Sequence, residues 1–289
     1  MSKRQPVTLR CGHRELALSE PVVMGILNIT PDSFSDGGKF LARDAALAEA
    51  QKMVDAGAEI LDVGGESTRP GARAVNAQEE LDRVAPVIEA VTDAFDKVVS
   101  IDTSKPEVMR GAVAAGANLI NDVRALRMPG ALEAAASLEV PVCVMHMQGE
   151  PGNMQDNPQY DNVVSDVSAF LAHRIEACVE AGISRDQILV DPGFGFGKNL
   201  SHNLQLLQNL DTLLALDAPL LVGMSRKSMI AQVLDVPLEQ RLAGSLACAV
   251  MAAERGAAVI RVHDVLATVE AIRMYSAVVG ASQPGVNTL

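Results

Sequence analysis

Polar and charged side chains that end short aliphatic runs are the residues of this sequence best suited to chemistry. Asp102, Asn121 and Asp191 follow the runs VVSI, NLI and ILV, and Lys227 comes shortly after LLVGM. A carboxylate accepts two parallel N–H bonds in one plane, while an amide and an ammonium supply donors. The set therefore fits a flat heterocycle that displays N–H donors and a carbonyl acceptor. The alternative is structural, with Asp191 opening a turn at Pro192 and Asp102 capping a helix.

Basic side chains form a second group. Arg69 lies in GGESTRPGA, Lys227 in MSRKS, and Arg261 with His263 in IRVHD. Arg261 and His263 are separated by one residue, so on a strand they point the same way. Because the chain has a formal net charge of −12, an anionic substrate needs local cations of this kind. This second group therefore indicates a phosphate or diphosphate site.

The same net charge argues against partners that are themselves strongly negative. Nucleic acids and anionic membranes both need an electropositive surface, so we expect neither as a partner. No apolar run is long enough to span a membrane and no signal peptide is evident, which predicts a cytoplasmic protein. The four cysteines are far apart, and Cys143 and Cys248 lie in apolar segments typical of a buried core.

Eight aliphatic runs recur along the chain, and this repetition predicts the fold. The intervals carry helical periodicity or, in the shortest, SKPEVMRGAVAAG, still hold the residues that a parallel crossover needs. Eight such units predict an α/β protein with a (β/α)8 TIM barrel, whose active site lies at the carboxyl ends of the strands. The strands are predicted to end at Asn28, Asp62, Asp102, Asn121, His146, Asp191, Ser225 and Arg261.

Three of the eight units resemble one another. GAEILD, GANLIN and GAAVIR each begin with a glycine that would end a helix, at Gly57, Gly116 and Gly256. The sixth residue of each unit is polar, so Asp62, Asn121 and Arg261 are predicted to be equivalent. We expect a single domain over residues 22–282, a hairpin over residues 1–21 that closes the bottom of the barrel, and a C-terminal tail over residues 283–289.

Four of the six phenylalanines lie in two loops that follow strands. Phe34 and Phe40 belong to GILNITPDSFSDGGKF, and Phe194 and Phe196 belong to GFGFGKN. The glycine spacing of GFGFGKN fits neither the dinucleotide fingerprint nor the phosphate loop of nucleotide-binding proteins. Two interpretations stay open for these rings, as anchors packed beneath their loops or as apolar walls of a site.

Two other polar residues have simpler interpretations. Ser225 is predicted to cap a helix that begins near Lys227, whose free amides would favour a carboxylate. His146 in MHMQG is interpreted as a structural residue, because an isolated histidine more often satisfies hydrogen bonds in a core than binds a ligand.

Taken together, the motifs resemble those of bacterial dihydropteroate synthases over about residues 22 to 265. They are GILNITPDSFSDGG, DVGGESTRPGA, SIDTSKPEV, INDVRAL, MHMQGEP, DPGFGFGK, VGMSRKS and IRVHDV. The resemblance implies condensation of 6-hydroxymethyl-7,8-dihydropterin diphosphate with 4-aminobenzoate to 7,8-dihydropteroate and diphosphate, a step of folate synthesis. It also implies Mg²⁺ as cofactor, sulfonamides as inhibitors, and a homodimer formed through the last helices, for which VEAIRMYSAVV offers an apolar face.

The resemblance further implies a role for each candidate residue. The pterin would bind Asp102, Asn121, Asp191, Lys227 and Arg261. Diphosphate would bind Asn28, Thr68, Arg69, Arg261 and His263, with Asn28 as the metal ligand. 4-Aminobenzoate would bind Ser225, Lys227, Phe196, Thr68, Pro70 and Phe34. The catalytic residues would be Asn28, Asp36, Lys227, Arg261 and His263.

Two other functions share part of this pattern. A pterin-binding methyltransferase barrel could use the same carboxylates and amide, but it needs neither the basic group nor the SRK segment. A pterin-binding barrel without catalytic activity would have no use for the loops after the first, second and seventh strands of the barrel. Release of diphosphate that depends on both substrates would distinguish the synthase from both alternatives.

Overall fold

A computed structural model describes residues 7–29, 38–67, 75–150 and 152–281, with side chains from residue 43 onward in helix α1. Strands β1 to β10 span Thr8–Cys11, Arg14–Ala17, Val22–Asn28, Ile60–Gly64, Val98–Asp102, Leu119–Asp122, Val142–Met145, Ile188–Asp191, Leu220–Val222 and Ala257–Val262. Helices α1 to α9 span Gly38–Asp55, Ala77–Ala94, Pro106–Ala114, Ala131–Leu138, Val163–Glu180, Leu200–Gln208, Ser228–Leu234, Leu242–Glu254 and Val265–Ala281.

Strands β3 to β10 form a closed barrel in which every neighbouring pair is parallel. At least one helix lies between each strand and the next along the chain, so the predicted (β/α)8 TIM barrel is confirmed. The predicted helix-ending glycines, Gly57, Gly116 and Gly256, have φ of +95°, +112° and +88°. Glycine adopts this left-handed conformation without the steric cost that other residues incur.

The predicted N-terminal hairpin is present, and it packs against one end of the barrel. Strands β1 and β2 pair antiparallel, and their buried residues Leu9, Cys11 and Leu16 pack on inward residues near the amino ends of the barrel strands. This lower layer is apolar and contains, among others, Ile60, Leu119 and Val259. The exact borders predicted at residues 21 and 282 stay a prediction.

The inward residues one layer higher are polar. Because side chains on one face of a strand recur every second residue, Asp62, Asn121 and Arg261 follow Ile60, Leu119 and Val259 in the interior. These three residues are therefore equivalent, as predicted, in the sense that each contributes to the same polar layer of the barrel interior. The register aligns Gly64, at the end of β4, with Asp102 at the rim of the barrel.

Several predicted strand ends need correction. Strand β4 continues to Gly64, so Asp62 lies inside the strand rather than at its end. Strand β9 ends at Val222, three residues before Ser225, and β7 ends one residue before His146. Strand β10 extends one residue beyond Arg261. A polar residue shows where the side-chain environment changes from apolar to polar. The end of the strand is instead decided by backbone hydrogen bonding to the neighbouring strands.

Candidate active site

The centre of the barrel mouth is a buried network of charges around Arg261. Its Nε donates to Oδ2 of Asp62 at 2.6 Å, and its Nη2 donates to Oδ2 of Asp102 at 2.8 Å. Asn121 also donates to Asp62 Oδ2, at 3.2 Å. The network joins β4, β5, β6 and β10 across the barrel, so it fixes the position of the guanidinium at the floor of the mouth.

Asp62 is the residue of this network that the sequence interpretation left without a role. Its side chain has no exposed surface, and its Oδ1 is buried without a hydrogen-bond partner among the described residues. A buried carboxylate is tolerated when it is paired and hydrogen-bonded, as Asp62 is through Oδ2. The prediction of an equivalent polar layer was the signal that could have identified it, since Asp62 shares that layer with Asn121 and Arg261.

Asp102 and Asp191 are both less acidic than ordinary aspartates. Burial raises the pKa of Asp102 to about 7, although the charge of Arg261 opposes the rise. Burial also raises the pKa of Asp191, while the charge of Lys227 opposes the rise. Each carboxylate thus lies in an environment that favours further hydrogen-bond donors.

Asp191 ends β8 and is oriented by its own backbone. Its Oδ1 accepts a hydrogen bond of 2.7 Å from the Gly193 N–H, and its carbonyl accepts one of 2.9 Å from the His146 N–H. Among the residues that the structure describes, none donates to Asp191 Oδ2. The carboxylate is therefore held at one oxygen, while the other is available to a ligand.

Lys227 lies opposite Asp191, directly before α7. Its ammonium donates to the carbonyl of Phe194 and lies 4.7 Å from the centroid of the Phe196 ring. Burial lowers the pKa of Lys227 to about 8, and the charge of Asp191 limits the fall. Phe194 is completely buried and acts as a local anchor, whereas Phe196 is only partly buried and packs against a small cluster that includes Met145 and Met147. The anchor interpretation therefore holds for Phe194, while Phe196 as an apolar wall of a site stays a prediction.

Ser225 and His263 contact each other across the loops after β9 and β10. The Ser225 hydroxyl accepts from the His263 N–H at 3.2 Å and lies 3.1 Å from His263 Nδ1. The predicted helix cap is wrong, because Lys227 is the N-cap of α7 and no side chain caps that helix. The backbone at Arg226 has φ +57°, a left-handed turn that separates Ser225 from the helix start.

Arg226 is a second residue that the sequence interpretation did not identify. Its guanidinium makes two hydrogen bonds to Asp264, one from Nε at 2.8 Å, and its N–H donates to Ser245 Oγ at 2.9 Å. Arg241 donates to the Arg226 carbonyl at 2.8 Å. These contacts hold a conformation that non-glycine residues rarely adopt, and they join the loop of Ser225 to the loop of His263.

Asn28 ends β3 with an exposed side chain. A Cβ built on Gly64 would lie 3.4 Å from Asn28 Oδ1 and 3.6 Å from Asp102 Cβ, so both residues border the same glycine. Other predicted site residues lie outside the residues that the structure describes. They are Phe34, Asp36, Thr68, Arg69 and Pro70.

The segment that precedes Thr68 is anchored by described residues. Glu66 Oε1 accepts from the Val75 N–H at 3.1 Å, and Glu66 Oε2 accepts from Lys105 Nζ at 2.6 Å. Lys105 also donates to the buried Glu80 on α2. Glu66 therefore ties residue 75 to the segment before residue 68.

The described residues also bear on the membrane, metal and cysteine questions that the sequence raises. No helix among them is long and apolar enough to cross a membrane. Within the same ranges, no three histidine, cysteine or acidic residues group together as a metal site. The four cysteines are free and buried, which confirms the core positions expected for Cys143 and Cys248. His146 is buried beside the ring of Phe170, in agreement with its structural interpretation.

Comparison with known proteins places this geometry in a family. The family model described as "Pterin binding enzyme" matches residues 24–263. A dihydropteroate synthase of Escherichia coli strain K12 is 56% identical over 268 residues, covering 93% of this chain and 95% of the relative.

Two solved structures are similar as well. The Yersinia pestis dihydropteroate synthase in a sulfonamide drug complex has a TM-score of 0.90 and 57% identity, covering 94% of this chain and 99% of that one. The Xanthomonas albilineans enzyme in complex with 7,8-dihydropteroate has a TM-score of 0.86 and 49% identity, covering 96% and 100%.

Proposed function

This chain belongs to the dihydropteroate synthases of the pterin-binding enzyme family, and from that premise we propose which of its residues perform each part of the reaction. It is a transferase that condenses 6-hydroxymethyl-7,8-dihydropterin diphosphate with 4-aminobenzoate, giving 7,8-dihydropteroate and diphosphate in folate biosynthesis. The observation that carries the assignment of roles is the polar layer of the barrel interior, where Asp191 and Lys227 face the network of Arg261, Asp62 and Asp102.

The pterin ring binds edge-on to Asp191. Because Gly193 already donates to Asp191 Oδ1, the carboxylate is oriented to accept ring N–H groups at Oδ2 and at the remaining lone pair of Oδ1. Asn121 and Asp102 complete the polar edge, and Lys227 donates to the acceptor side of the ring. The Arg261 guanidinium, held by two carboxylates, presents its plane to the ring face.

The difficult step is the departure of diphosphate from the pterin CH2 group. An aryl amine is neutral at pH 7, so its nitrogen lone pair attacks the carbon without a general base. The C–O bond breaks with its electron pair on the leaving diphosphate, and the new ammonium then loses a proton to water. Arg261 and His263 stabilise the charge that develops on the leaving group, and a pterin held by Asp191 spreads the positive charge on the carbon.

The chemistry of Asn28 fits Mg²⁺. A magnesium ion prefers oxygen ligands in an octahedron, keeps several waters, and binds proteins through one or two side chains plus substrate phosphates. Asn28 offers one exposed amide oxygen at the rim, next to Asp102 across Gly64, where diphosphate would contribute the other ligands. When bound, the ion would add positive charge at the leaving oxygens.

4-Aminobenzoate binds between Phe196 and the loops that precede α7 and α9. Phe196 supplies the apolar face, and Lys227 and Ser225 supply donors near the carboxylate end of the substrate. In our assignment this pocket is completed by Thr68, Pro70 and Phe34. The diphosphate site is completed by Arg69, and Asp36 belongs to the catalytic group. These five residues rest on the family motifs alone.

The alternative functions differ from the synthase in one measurable product. Incubation with pterin diphosphate should release diphosphate only when 4-aminobenzoate is present, in equal amounts with dihydropteroate. A methyltransferase barrel or a pterin-binding protein without activity would release none. Release of diphosphate without 4-aminobenzoate would contradict the expected requirement for both substrates.

The pKa of Lys227 predicts the pH dependence of the reaction. Burial lowers this pKa to about 8, so the ammonium that assists arylamine binding is lost as the pH rises through about 8. We expect kcat/KM for 4-aminobenzoate to fall on the basic side near that pH. In Lys227→Met this basic limb should vanish, whereas Lys97→Met, which removes a lysine paired with Glu59, should keep it. An unchanged basic limb in Lys227→Met would assign the titration to another group.

A homodimer is proposed for the face formed by α8 and α9. Large apolar side chains are exposed there, with Met274 66% and Val278 58% exposed. Glutamate at both positions should convert a dimer into monomers, because it places charges in an apolar contact. Sedimentation velocity would measure the change, with Leu204→Glu on α6 as the control. A monomeric wild-type protein at micromolar concentration, or a dimer that survives both changes, would contradict this interface.

A cytoplasmic location is proposed as well. The free and buried cysteines among the described residues are compatible with a reducing compartment.

A further inference from the structure

The loop between β8 and α6 has an unusual backbone. Gly193, Gly195 and Gly197 have φ of +70°, +78° and +58° and alternate with Phe194 and Phe196. A Cβ on Gly193 would lie 1.8 Å from the carbonyl oxygen of residue 146, and one on Gly197 would lie 2.4 Å from that of residue 148. Only glycine fits these contacts, so the loop packs directly on the chain that follows β7.

Two lysine ammonium groups bind the carbonyls of this loop. Lys227 donates to the carbonyl of Phe194. Lys198 Nζ donates to the carbonyls of Gly193 at 2.9 Å and Phe196 at 3.0 Å. The aminobenzoate pocket explains Lys227, which faces the mouth. Lys198 lies behind the loop and needs a separate explanation.

The side chain of Lys198 is completely engaged in holding the loop. It is 3% exposed, and its third donor contacts His146 Nδ1 at 2.9 Å. An ammonium has three N–H donors, and here three acceptors lie at 2.9–3.0 Å and a fourth, the His146 carbonyl, at 3.5 Å. Among the described residues no carboxylate forms a salt bridge with Lys198, although Asp191 is near enough to influence its charge. Burying a cation without a salt bridge costs free energy, so the hydrogen bonds of Lys198 must stabilise the loop enough to offset that cost.

The partner histidine keeps the bonds intact in either protonation state of the lysine. Burial lowers the pKa of Lys198 to about 7, and burial with the nearby Lys198 charge lowers that of His146 to about 2. His146 is therefore neutral. When Lys198 is charged, His146 Nδ1 accepts a hydrogen bond from the ammonium. When Lys198 is neutral, the imidazole tautomer with a proton on Nδ1 donates to the amine nitrogen. The two carbonyls keep a donor in both states.

We propose that Lys198 is a positioning residue for the arylamine substrate, because it holds the Phe196 ring and the Phe194 carbonyl against Lys227. This inference rests on the aminobenzoate pocket proposed above. The pterin end of the site meets the loop at the Gly193 N–H, and the close packing of Gly193 on the carbonyl of residue 146 restrains that group in addition to the bond from Lys198. Lys198 should therefore act on the arylamine and its sulfonamide mimics more than on the pterin.

The Lys198→Met variant tests this role, since methionine fills a similar volume without donors. We expect KM for 4-aminobenzoate and the inhibition constant of a sulfonamide to rise by at least about tenfold, as when buried acceptors lose their donor. We expect kcat and the affinity for a pterin analogue to stay within about threefold. Lys198→Gln, whose amide retains two donors, should give intermediate values. Lys97→Met serves as the matched control for loss of a lysine remote from the mouth.

The outcomes separate this inference from the proposed function. If wild-type enzyme condenses the two substrates but both Lys198 variants keep a normal KM for the arylamine, the positioning role is wrong and the function stands. If kcat, pterin affinity and melting temperature all fall in proportion, Lys198 is a general structural residue. If Lys198→Met does not fold, the comparison is made with Lys198→Gln alone. Absence of condensation by wild-type enzyme would instead contradict the proposed function.

Discussion

Asp191→Asn should weaken the binding of a pterin analogue by at least about a hundredfold, which corresponds to about 2.7 kcal/mol. The structure gives the reason. The Gly193 N–H donates to one oxygen of Asp191, so an asparagine would keep its own oxygen there and turn its NH2 group toward the ligand. Donors of the amide and of the pterin would then face each other, and both would be buried without an acceptor. Calorimetry with a pterin analogue measures the loss.

Asp186→Asn is the matched control for this substitution. Asp186 lies in the turn before the same strand, at the opposite end of the barrel, with its side chain 58% exposed. The control should bind the analogue with wild-type affinity. A Kd for Asp191→Asn within about threefold of wild type would remove Asp191 from the pterin site.

Replacing Arg261 should reduce turnover by about a hundredfold or more, because a preorganised cation at the leaving group is lost. The same change should lower the melting temperature, since Asp62 is fully buried and Arg261 is its charged partner. Loss of activity alone would not distinguish the two effects. Rate and stability must therefore be measured on the same variants.

The double variant Asp62→Asn with Arg261→Met separates catalysis from folding. Removing the buried carboxylate together with its cation should restore much of the melting temperature that Arg261→Met loses, but none of the turnover. His263→Ala should also lower turnover, because a second donor to the leaving group is lost. Turnover that recovers with stability in the double variant would make Arg261 a structural residue.

The sequence predicted the barrel because its signal is repetitive. Eight aliphatic runs separated by helical segments permit few arrangements, and each run is buried on both faces of the sheet. Gly57, Gly116 and Gly256 marked helix ends because their left-handed conformation follows from local backbone sterics. The polar residues at the rim could also be identified from local sequence, because each of them interrupts an apolar run.

Residues that act through side-chain contacts between distant segments were harder to predict. Asp62 and Arg261 are 199 positions apart, and only the closed barrel brings their side chains together. Lys198 and Arg226 lie within the motifs DPGFGFGK and VGMSRKS, but their partners, His146 and Asp264, are 52 and 38 positions away. The predicted cap at Ser225 failed because a left-handed residue between Ser225 and the helix redirects its hydroxyl, which residue type alone does not reveal.

A crystal structure with a non-reactive pterin diphosphate analogue and 4-aminobenzoate tests the assignment of these residues most directly. We expect pterin N–H groups within about 2.7–3.2 Å of the Asp191 carboxylate, the Arg261 guanidinium against the ring, and the arylamine between Phe196 and Lys227. The amine nitrogen should then point at the CH2 carbon, opposite the leaving oxygen. A pterin bound outside the polar layer, with no hydrogen bond to Asp191, would contradict the account.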